Sequence, residues 1–212
     1  MMKVVSVNVG RHREIVRADK TWRTSIYKDP VAGPVRVGRL GLDGDTQTET
    51  RVHGGPDQAV YAYPTEHCAH WTHELGRDGF GPGYFGENLT VEGLLEPDVA
   101  IGDVFAIGTT VLEVTAPRLP CATLAMRIDD KMFPKRMLAS SRLGWYLRVL
   151  EEGVIEAGHE IMRVRRADDL ISVDRVAHLR FDSEPDPNLL RRVVALPALK
   201  EGWRELFAGK MG

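Results

Sequence analysis

The stretch VLEVTAPRLPC, residues 111–121, spans a change in secondary structure. Its first half is rich in β-branched residues and favours a strand, whereas the segment after it, Ala122–Ile128, has the spacing of a short helix. Cys121 therefore stands at the start of a predicted helix, where the partial positive charge of the backbone favours a thiolate. Arg118, three residues upstream, would favour the thiolate further. A thiolate binds soft metals or attacks electrophiles, so Cys121 is the first candidate for chemistry.

Outward from this stretch, the first 166 residues or so carry many short segments rich in β-branched and aromatic residues, broken by Gly and Pro. Their number and irregular spacing predict a closed or nearly closed β-barrel rather than repeated βαβ units. Helices are predicted at 64–75, 122–128 and 133–141, the first with proline in its first turn. The predicted strands cover residues 3–9, 23–27, 35–39, 59–63, 87–91, 104–107, 111–115, 145–150 and 159–164.

The pattern changes after Arg166. Segments 172–179, 188–195 and 197–207 have apolar residues at helical spacing, which predicts three short helices packed as a small unit. Ser172 is a plausible N-cap for the first of them. We therefore predict two domains, a β-barrel over residues 1–166 and a three-helix domain over residues 167–212.

Composition excludes several classes of protein. The chain has 212 residues, 43% hydrophobic and 27% charged, with a formal net charge of −2, which argues against nucleic-acid binding as its main function. No stretch approaches the roughly 20 apolar residues of a membrane span, and the N-terminus lacks the features of a signal peptide, so a cytoplasmic location is predicted. With only two cysteines, a disulfide framework and a self-contained four-cysteine iron–sulfur cluster are not expected.

Four loop clusters combine flexible backbone with polar side chains. Taken singly, each is most simply a turn, because Gly-Asp and Gly-Gly pairs commonly mark turns. Together, within about 80 residues, they form a more specific signal. The clusters are GLDGD at 41–45, HGGPD at 53–57, FGENL at 85–89 and PRLPC at 117–121.

The order of these clusters resembles the MOSC family, named from the C-terminal domain of molybdenum cofactor sulfurases. The match is close to its bacterial YiiM-like branch, associated with resistance to hydroxylaminopurine, and covers nearly the whole chain, including the C-terminal helices with Trp203 in the last one. Further matching runs are IYK at 26–28, GPV at 33–35, AVYAYP at 59–64 and IGD at 101–103. The resemblance implies a mainly β fold: a MOSC-type barrel, similar to the β-barrel of pyruvate kinase, with a few helices and a three-helix C-terminal domain.

The resemblance also implies a molybdenum pyranopterin cofactor (molybdopterin), with no need for pyridoxal phosphate. Cys121 matches the family's cysteine and would be the metal ligand, because a soft thiolate suits a metal that is already bound to sulfur. The alternative is a buried structural thiol. Lys28 and Arg118 are candidates for the cofactor phosphate, with Thr24 and Ser25 as hydroxyl donors; a solvated surface role is the alternative for the two cations.

Two further residues of the loop clusters are candidates. His53 could donate to the pterin or an oxo group, or supply a proton near the metal; otherwise it is a turn histidine satisfied by the backbone. Asn88 offers donors and an acceptor suited to a pterin edge; otherwise it forms an Asx-type turn. Asp45 and Asp57 are expected to orient loops or pair with Arg51.

Three histidines in the helix predicted at 64–75 do not form a convincing metal site. His67, His70 and His73 spread over about 120° of the helix circumference, so all three cannot easily converge on one ion. Cys68, in the same helix, is expected to pack in the interior.

The reaction implied by the resemblance is reduction of a small N-hydroxylated compound, R–NHOH, to R–NH₂ and water with two electrons and two protons. No motif for a redox nucleotide or cluster is present, so a separate electron-donor protein is expected. The rival interpretations are a carrier of the cofactor or of sulfur, with a persulfide on Cys121, and a binding module without turnover.

Overall fold

The computed structural model of the protein describes residues 1–17, 19–48 and 54–211. Within these ranges the strands are short and many, as the sequence predicts. They are β1 (Lys3–Val9), β2 (Arg13–Arg17), β3 (Lys20–Thr24), β4 (Asp29–Pro30), β5 (Val35–Gly38), β6 (Gly41–Leu42), β7 (Val60–Pro64), β8 (Leu89–Glu92), β9 (Val104–Ile107), β10 (Thr110–Pro117), β11 (Trp145–Glu151), β12 (Gly153–Ile155) and β13 (Ile161–Arg165).

Eight of these strands form one curved sheet, in the order β13-β9-β10-β11-β7-β8-β1-β4. Strand β1, near one end, also bonds to the chain around β13 at the other end: the Val4 amide donates to the His159 carbonyl at 2.9 Å, and the Ile161 amide to the Met2 carbonyl at 2.9 Å. These contacts include one isolated bridge, not a continuous ladder, so the sheet is barrel-like but not closed. The prediction of a mainly β fold is confirmed; full closure of the barrel is not observed.

Six α-helices accompany the sheet within the described residues. Helix α1 joins β7 to β8, which pair in parallel, so one βαβ unit is present where the strand pattern predicted none. The remaining pairs in the large sheet are antiparallel. The helices are α1 (Glu66–Leu75), α2 (Ala122–Ile128), α3 (Phe133–Ser140), α4 (Val173–Phe181), α5 (Pro187–Ala195) and α6 (Glu201–Ala208).

The largest departure from the predicted strands lies at residues 23–27. Strand β3 ends at Thr24 and forms a hairpin with β2, a strand that the sequence pattern did not indicate. The Thr24 hydroxyl accepts a bond from the Ile26 amide at 3.0 Å, and the Lys28 amide donates to the Ile26 carbonyl at 3.1 Å. Such local bonds compete with a strand ladder and turn the chain. Residues 25–28 therefore form an irregular segment.

The C-terminal helices share a hydrophobic core with the sheet. Val176 of α4, Leu190 of α5 and Phe207 of α6 belong to the same buried cluster as Leu112 of β10 and Leu147 of β11. A second cluster of mainly aromatic residues fills the space between α1, α2 and α3. The three C-terminal helices are thus packed on the sheet as well as on one another. No helix among the described residues has the length and apolar character needed to cross a membrane.

Candidate active site

A cleft of about 700 Å³, open to solvent, lies between the irregular segment 25–28 and the start of α2. Of the seven site residues that the sequence predicts, the cleft brings six together on its walls. His53 is the exception, because it lies outside the described residues, although the adjacent Gly54 lines the cleft. The six residues are Thr24, Ser25, Lys28, Asn88, Arg118 and Cys121.

The floor of the cleft holds a buried ion pair. Lys28 donates to both carboxylate oxygens of Asp45, at 2.5 and 2.6 Å, and the two side chains are 8% and 5% exposed. Burial lowers the pKa of Lys28, although Asp45 opposes the shift. The Gly10 amide donates to the same carboxylate at 2.7 Å. The sequence predicts that Asp45 orients a loop or pairs with Arg51, and Arg51 lies outside the described residues. In the structure the carboxylate of Asp45 balances the positive charge of Lys28.

The side chain of Asn88 makes three hydrogen bonds within the protein. Its amide nitrogen donates to Asp45 at 2.9 Å and to the Asn8 carbonyl at 3.4 Å, and its amide oxygen accepts from the Tyr61 backbone at 3.1 Å. An amide nitrogen has two hydrogens, and both are used here. Its binding to a pterin stays a prediction, and the structure gives Asn88 a clear second role in positioning Asp45.

Hydroxyl groups line the side of the cleft formed by the irregular segment. The Ser25 hydroxyl lies 3.0 Å from that of Thr46 and 2.5 Å from that of Thr48. The Thr46 hydroxyl donates to the Gly10 carbonyl at 2.9 Å. These residues form a connected set of donors that can turn toward an anionic ligand.

At the opposite wall, Arg118 is buried against Cys121. Its Nη2 donates to the Cys121 Sγ at 3.8 Å, its Cζ lies 5.6 Å from the centroid of the Tyr61 ring, and its Nη1 is buried with no hydrogen-bond partner among the described residues. Burial alone would lower the pKa of Arg118, but Cys121 and the neighbouring tyrosines outweigh it, so the pKa is raised. Arg118 therefore stays charged beside the sulfur.

Two tyrosines of this wall were not among the predicted site residues. Tyr61 and Tyr146 lie on adjacent strands, and their rings are 5.5 Å apart. Burial raises the pKa of both hydroxyls, and Arg118 opposes that shift, so both phenols are protonated at neutral pH. Aromatic residues on a buried strand look like core residues, and only the proximity to Arg118 and Cys121 distinguishes this pair.

Other candidates lie away from the cleft or take no part in it. Asp57 pairs with Arg148 at 2.8 Å, and its other expected partner, Arg51, lies outside the described residues. His67 bonds to Glu96 at 2.9 Å in the interior. The described residues contain no group of three or more His, Cys, Asp or Glu side chains that could hold a metal ion.

The residues of the cleft fit a sulfur-bound, anionic cofactor. The buried Nη1 of Arg118 needs an acceptor, because a buried donor without a partner costs free energy. Cys121 supplies the soft ligand that molybdenum accepts beside other sulfur atoms. The hydroxyl groups and the Lys28 ammonium, which has three donors and gives two bonds to Asp45, suit a phosphate.

Comparison with known proteins assigns the chain to a family. A model of the MOSC domain matches residues 49–162, and a model of the YiiM-like, 3-alpha helix domain matches residues 171–210. The chain therefore belongs to the MOSC domain family, whose members are associated with binding or sulfuration of the molybdenum cofactor. The resemblance inferred from the loop clusters is thereby confirmed.

Within the family, the chain is similar to YiiM proteins. It shares 33% identity over 182 residues with protein YiiM of Escherichia coli, covering 85% of this chain and 81% of the relative. The crystal structure of YiiM from Geobacillus stearothermophilus superposes with a TM-score of 0.86 at 35% identity, with all of both chains covered. A Gibberella moniliformis protein named Reductase is 34% identical over 177 residues, covering 82% of this chain and 31% of the relative.

Proposed function

We propose that this protein is a molybdenum-cofactor-dependent reductase of small N-hydroxylated compounds, in which Cys121 ligates the metal. The observation that carries the proposal is the buried Arg118, which bonds to the Cys121 sulfur and keeps a second nitrogen unpaired among the described residues, at the wall of an open cleft. Membership of the MOSC family and a relative named Reductase support it. When bound, the cofactor would supply the two-electron chemistry that removes oxygen from R–NHOH.

The residues of the chain would bind, orient and hold protons. Arg118 would keep Cys121 in the thiolate form that the metal requires, because a cation beside sulfur favours its negative charge. Lys28, Thr24 and Ser25 would bind the cofactor phosphate, with Lys28 held in place by Asp45. Asn88 would position Asp45 and remains a candidate for the pterin edge.

The reaction also needs two protons for each turnover. His53 remains the predicted proton donor. The Tyr146 hydroxyl, kept protonated by burial, holds a proton on the cleft wall beside Arg118. The electrons would come from a separate donor protein, because the chain has too few cysteines for a four-cysteine cluster.

Anaerobic purification from a host that makes the cofactor tests the proposal. The expected result is stoichiometric molybdenum and pterin, with reduction of 6-hydroxylaminopurine by an artificial donor that is lost in Cys121→Ser and kept in the matched control Cys68→Ser. Loaded protein that reduces no N-hydroxylated compound with any donor would favour a carrier or binding protein instead. Protein that contains neither molybdenum nor pterin would contradict the assignment of the cofactor.

A further inference from the structure

Arg127, in the last turn of α2, reaches from the helix to the irregular segment 25–28. Its Nη1 donates to the Ile26 carbonyl, and also to the Gly83 carbonyl at 3.0 Å. One guanidinium therefore joins α2 to two loops that are distant from it in the sequence. Arg127 was not among the predicted site residues, and its side chain does not line the cleft.

Two tyrosine rings contact the same guanidinium. The Arg127 Cζ lies 4.6 Å from the centroid of the Tyr27 ring and 4.7 Å from that of the Tyr84 ring. A planar guanidinium can stack on aromatic rings and donate hydrogen bonds at the same time. The Tyr27 hydroxyl adds a bond to the Met126 sulfur at 3.8 Å. All of these contacts connect α2 to a loop, so they act between elements and not within the helix.

The turn at residues 83–86 is packed closely on the irregular segment. Gly83 has a φ of +76°, and a Cβ at this position would overlap the Lys28 carbonyl oxygen, so only glycine allows the two backbones to approach so closely. The buried Glu87 carboxylate fixes the turn, because it accepts from the Gly83 amide at 2.6 Å. Arg127 therefore bonds to a backbone carbonyl on each side of this contact.

These contacts connect the two ends of the cleft. Lys28 lies in the irregular segment and Cys121 is the residue before α2, and both line the cleft. The segment belongs to no strand, so it has no sheet ladder of its own to fix its position. Arg127 follows Cys121 by six residues, or about 9 Å along the helix axis. Contacts at one end of this short helix therefore determine where its other end stands relative to the segment.

We propose that Arg127 is a positioning residue: it fixes the spacing between the Lys28 segment and Cys121, and the protein retains its cofactor because that spacing is fixed. A ligand that is held at two ends binds more tightly when both ends are already in place, because less ordering is needed on binding. The inference rests on the proposed function for the identity of the ligand. The spacing itself is a property of the chain without any ligand.

Hydrogen exchange tests the spacing in protein purified from a host that makes no cofactor. The Ile26 and Lys28 amides both donate within or next to the irregular segment. We expect Arg127→Met to speed their exchange about tenfold or more, because a hydrogen bond from a charged group is lost. The matched control is Arg77→Met, since Arg77 also donates to a carbonyl of α2, that of Ile128, without contacting the segment. Wild-type exchange in Arg127→Met, or equal acceleration in Arg77→Met, would overturn the inference.

A second variant keeps this test decisive if Arg127→Met does not fold. Arg127→Lys keeps the charge and a donor but lacks the planar group that stacks on Tyr27 and Tyr84. It should speed exchange of the Lys28 amide by about two- to fivefold, the range expected from the loss of an exposed cation–π contact. A wild-type rate in Arg127→Lys would show that the stacked guanidinium does not fix the segment, which would also overturn the inference.

Retention of the cofactor tests the second half of the inference. After loaded protein is diluted, Arg127→Met should lose molybdenum and pterin at least about tenfold faster than the wild type. Leu190→Ala removes part of the core under α5, away from the cleft, and should lose them at the wild-type rate. Equal acceleration in Leu190→Ala would show that general loss of stability is the cause and would overturn the inference.

The two measurements separate this inference from the proposed function. Arg127→Met that holds molybdenum and pterin as long as the wild type would refute the role of Arg127 and leave the proposed function intact. Wild-type protein that contains neither would refute the proposed cofactor and the retention inferred from it. The exchange rates would still show in that case whether Arg127 fixes the segment.

Discussion

At the residue scale, the burial of Arg118 is the feature that most constrains the chemistry of the cleft. A buried guanidinium is costly unless a negative group or hydrogen-bond acceptors balance it. Its neighbours in the structure are the Cys121 sulfur and the Tyr61 ring, and its Nη1 is still without a partner among the described residues. A thiolate and a bound anion would together satisfy this cation.

The two cysteines should differ sharply in reactivity. Burial raises the pKa of Cys68 to about 11, so at pH 8 only about one thiol in a thousand is ionised, and its reactivity increases only as the pH approaches 11. Cys121 lies at the cleft beside a cation. In native protein at pH 8 we expect iodoacetamide to modify one cysteine, identified as Cys121 by mass spectrometry, and in denaturant to modify both. Preferential labelling of Cys68 would contradict this assignment.

Asp45→Asn should destabilise the protein through Lys28. The substitution leaves a buried ammonium without its counter-charge, at a cost on the order of 3 kcal/mol in the free energy of unfolding. Asp29→Asn, which breaks an exposed pair with Arg13, is the control and should cost less than about 1 kcal/mol. Urea denaturation measures both values.

The same variant should show a characteristic pH dependence. Burial lowers the pKa of Lys28, so between that lowered value and the ordinary value of 10.5 the unfolded chain binds more protons than the folded one. Asp45 opposes this shift, so its loss lowers the pKa of Lys28 further. As the pH rises through the window the variant therefore gains more stability than the wild type, and the deficit of Asp45→Asn should shrink toward pH 10.5. A deficit that does not change with pH would indicate that lost packing, not the charge of Lys28, is the cause.

At the scale of elements, the cleft is connected to the C-terminal helices through Lys200, which precedes α6. Its Nζ donates to the Gln58 Oε1 at 2.8 Å, and its backbone amide donates to the Thr115 carbonyl at 3.1 Å. The Thr115 hydroxyl in turn donates to the Asp57 carbonyl at 2.5 Å. Because Gln58 lines the cleft, the position of this wall depends on a residue at the start of α6.

Lys200→Met should loosen the wall while leaving α6 in place. Gln58 is 8% exposed, so loss of the bond to its carbonyl oxygen should cost about 1–3 kcal/mol. Hydrogen exchange should show faster exchange of the backbone amide of Gln58, which donates to the Gly55 carbonyl. Lys200→Arg keeps a donor and should restore most of the protection. Unchanged exchange in Lys200→Met would show that the wall does not depend on this bond.

At the scale of the whole molecule, the division at residue 166 remains a prediction, and the packing argues for one folding unit. The apolar faces of α4, α5 and α6 are buried in the same cluster as the sheet. Removal of residues 167–212 would expose the apolar face of the sheet that these helices cover, because Val176 and Leu190 are part of that cover. Small sheets that lose part of their core are not expected to remain stable.

The intact protein should therefore unfold in a single step. In a urea titration followed by hydrogen exchange and mass spectrometry, peptides from β10 and from α5 should lose protection at the same urea concentration. Leu190→Ala leaves a cavity at a buried position of α5 and should lower the free energy of unfolding by about 2–5 kcal/mol. The urea concentrations at which the β10 and α5 peptides lose protection should both fall by the same amount. Two separate transitions would instead support independent domains.

The sequence by itself determined the mainly β architecture, the three C-terminal helices and the position of Cys121 at the junction of a strand and a helix. These features depend on local periodicity, on turn residues and on loop clusters that belong together in one family, all of which are written in short stretches of chain. Strand 3–9, strand 104–107 and helix 122–128 agree with the structure residue for residue. The resemblance also named as candidates the six described residues that line the cleft, and their roles there stay a prediction.

Only the tertiary structure decided how those residues are connected. Asp45 is bonded to Lys28 across 17 positions and to Asn88 across 43, and Gln58 to Lys200 across 142. Contacts at such separations leave no periodic trace in the sequence, because each partner satisfies only its own local pattern. The end of β3 at Thr24 has the same cause, since the hydroxyl of that residue competes with the strand ladder. The polar cleft at Cys121 therefore exists only once the irregular segment 25–28 and the start of α2 have folded next to each other.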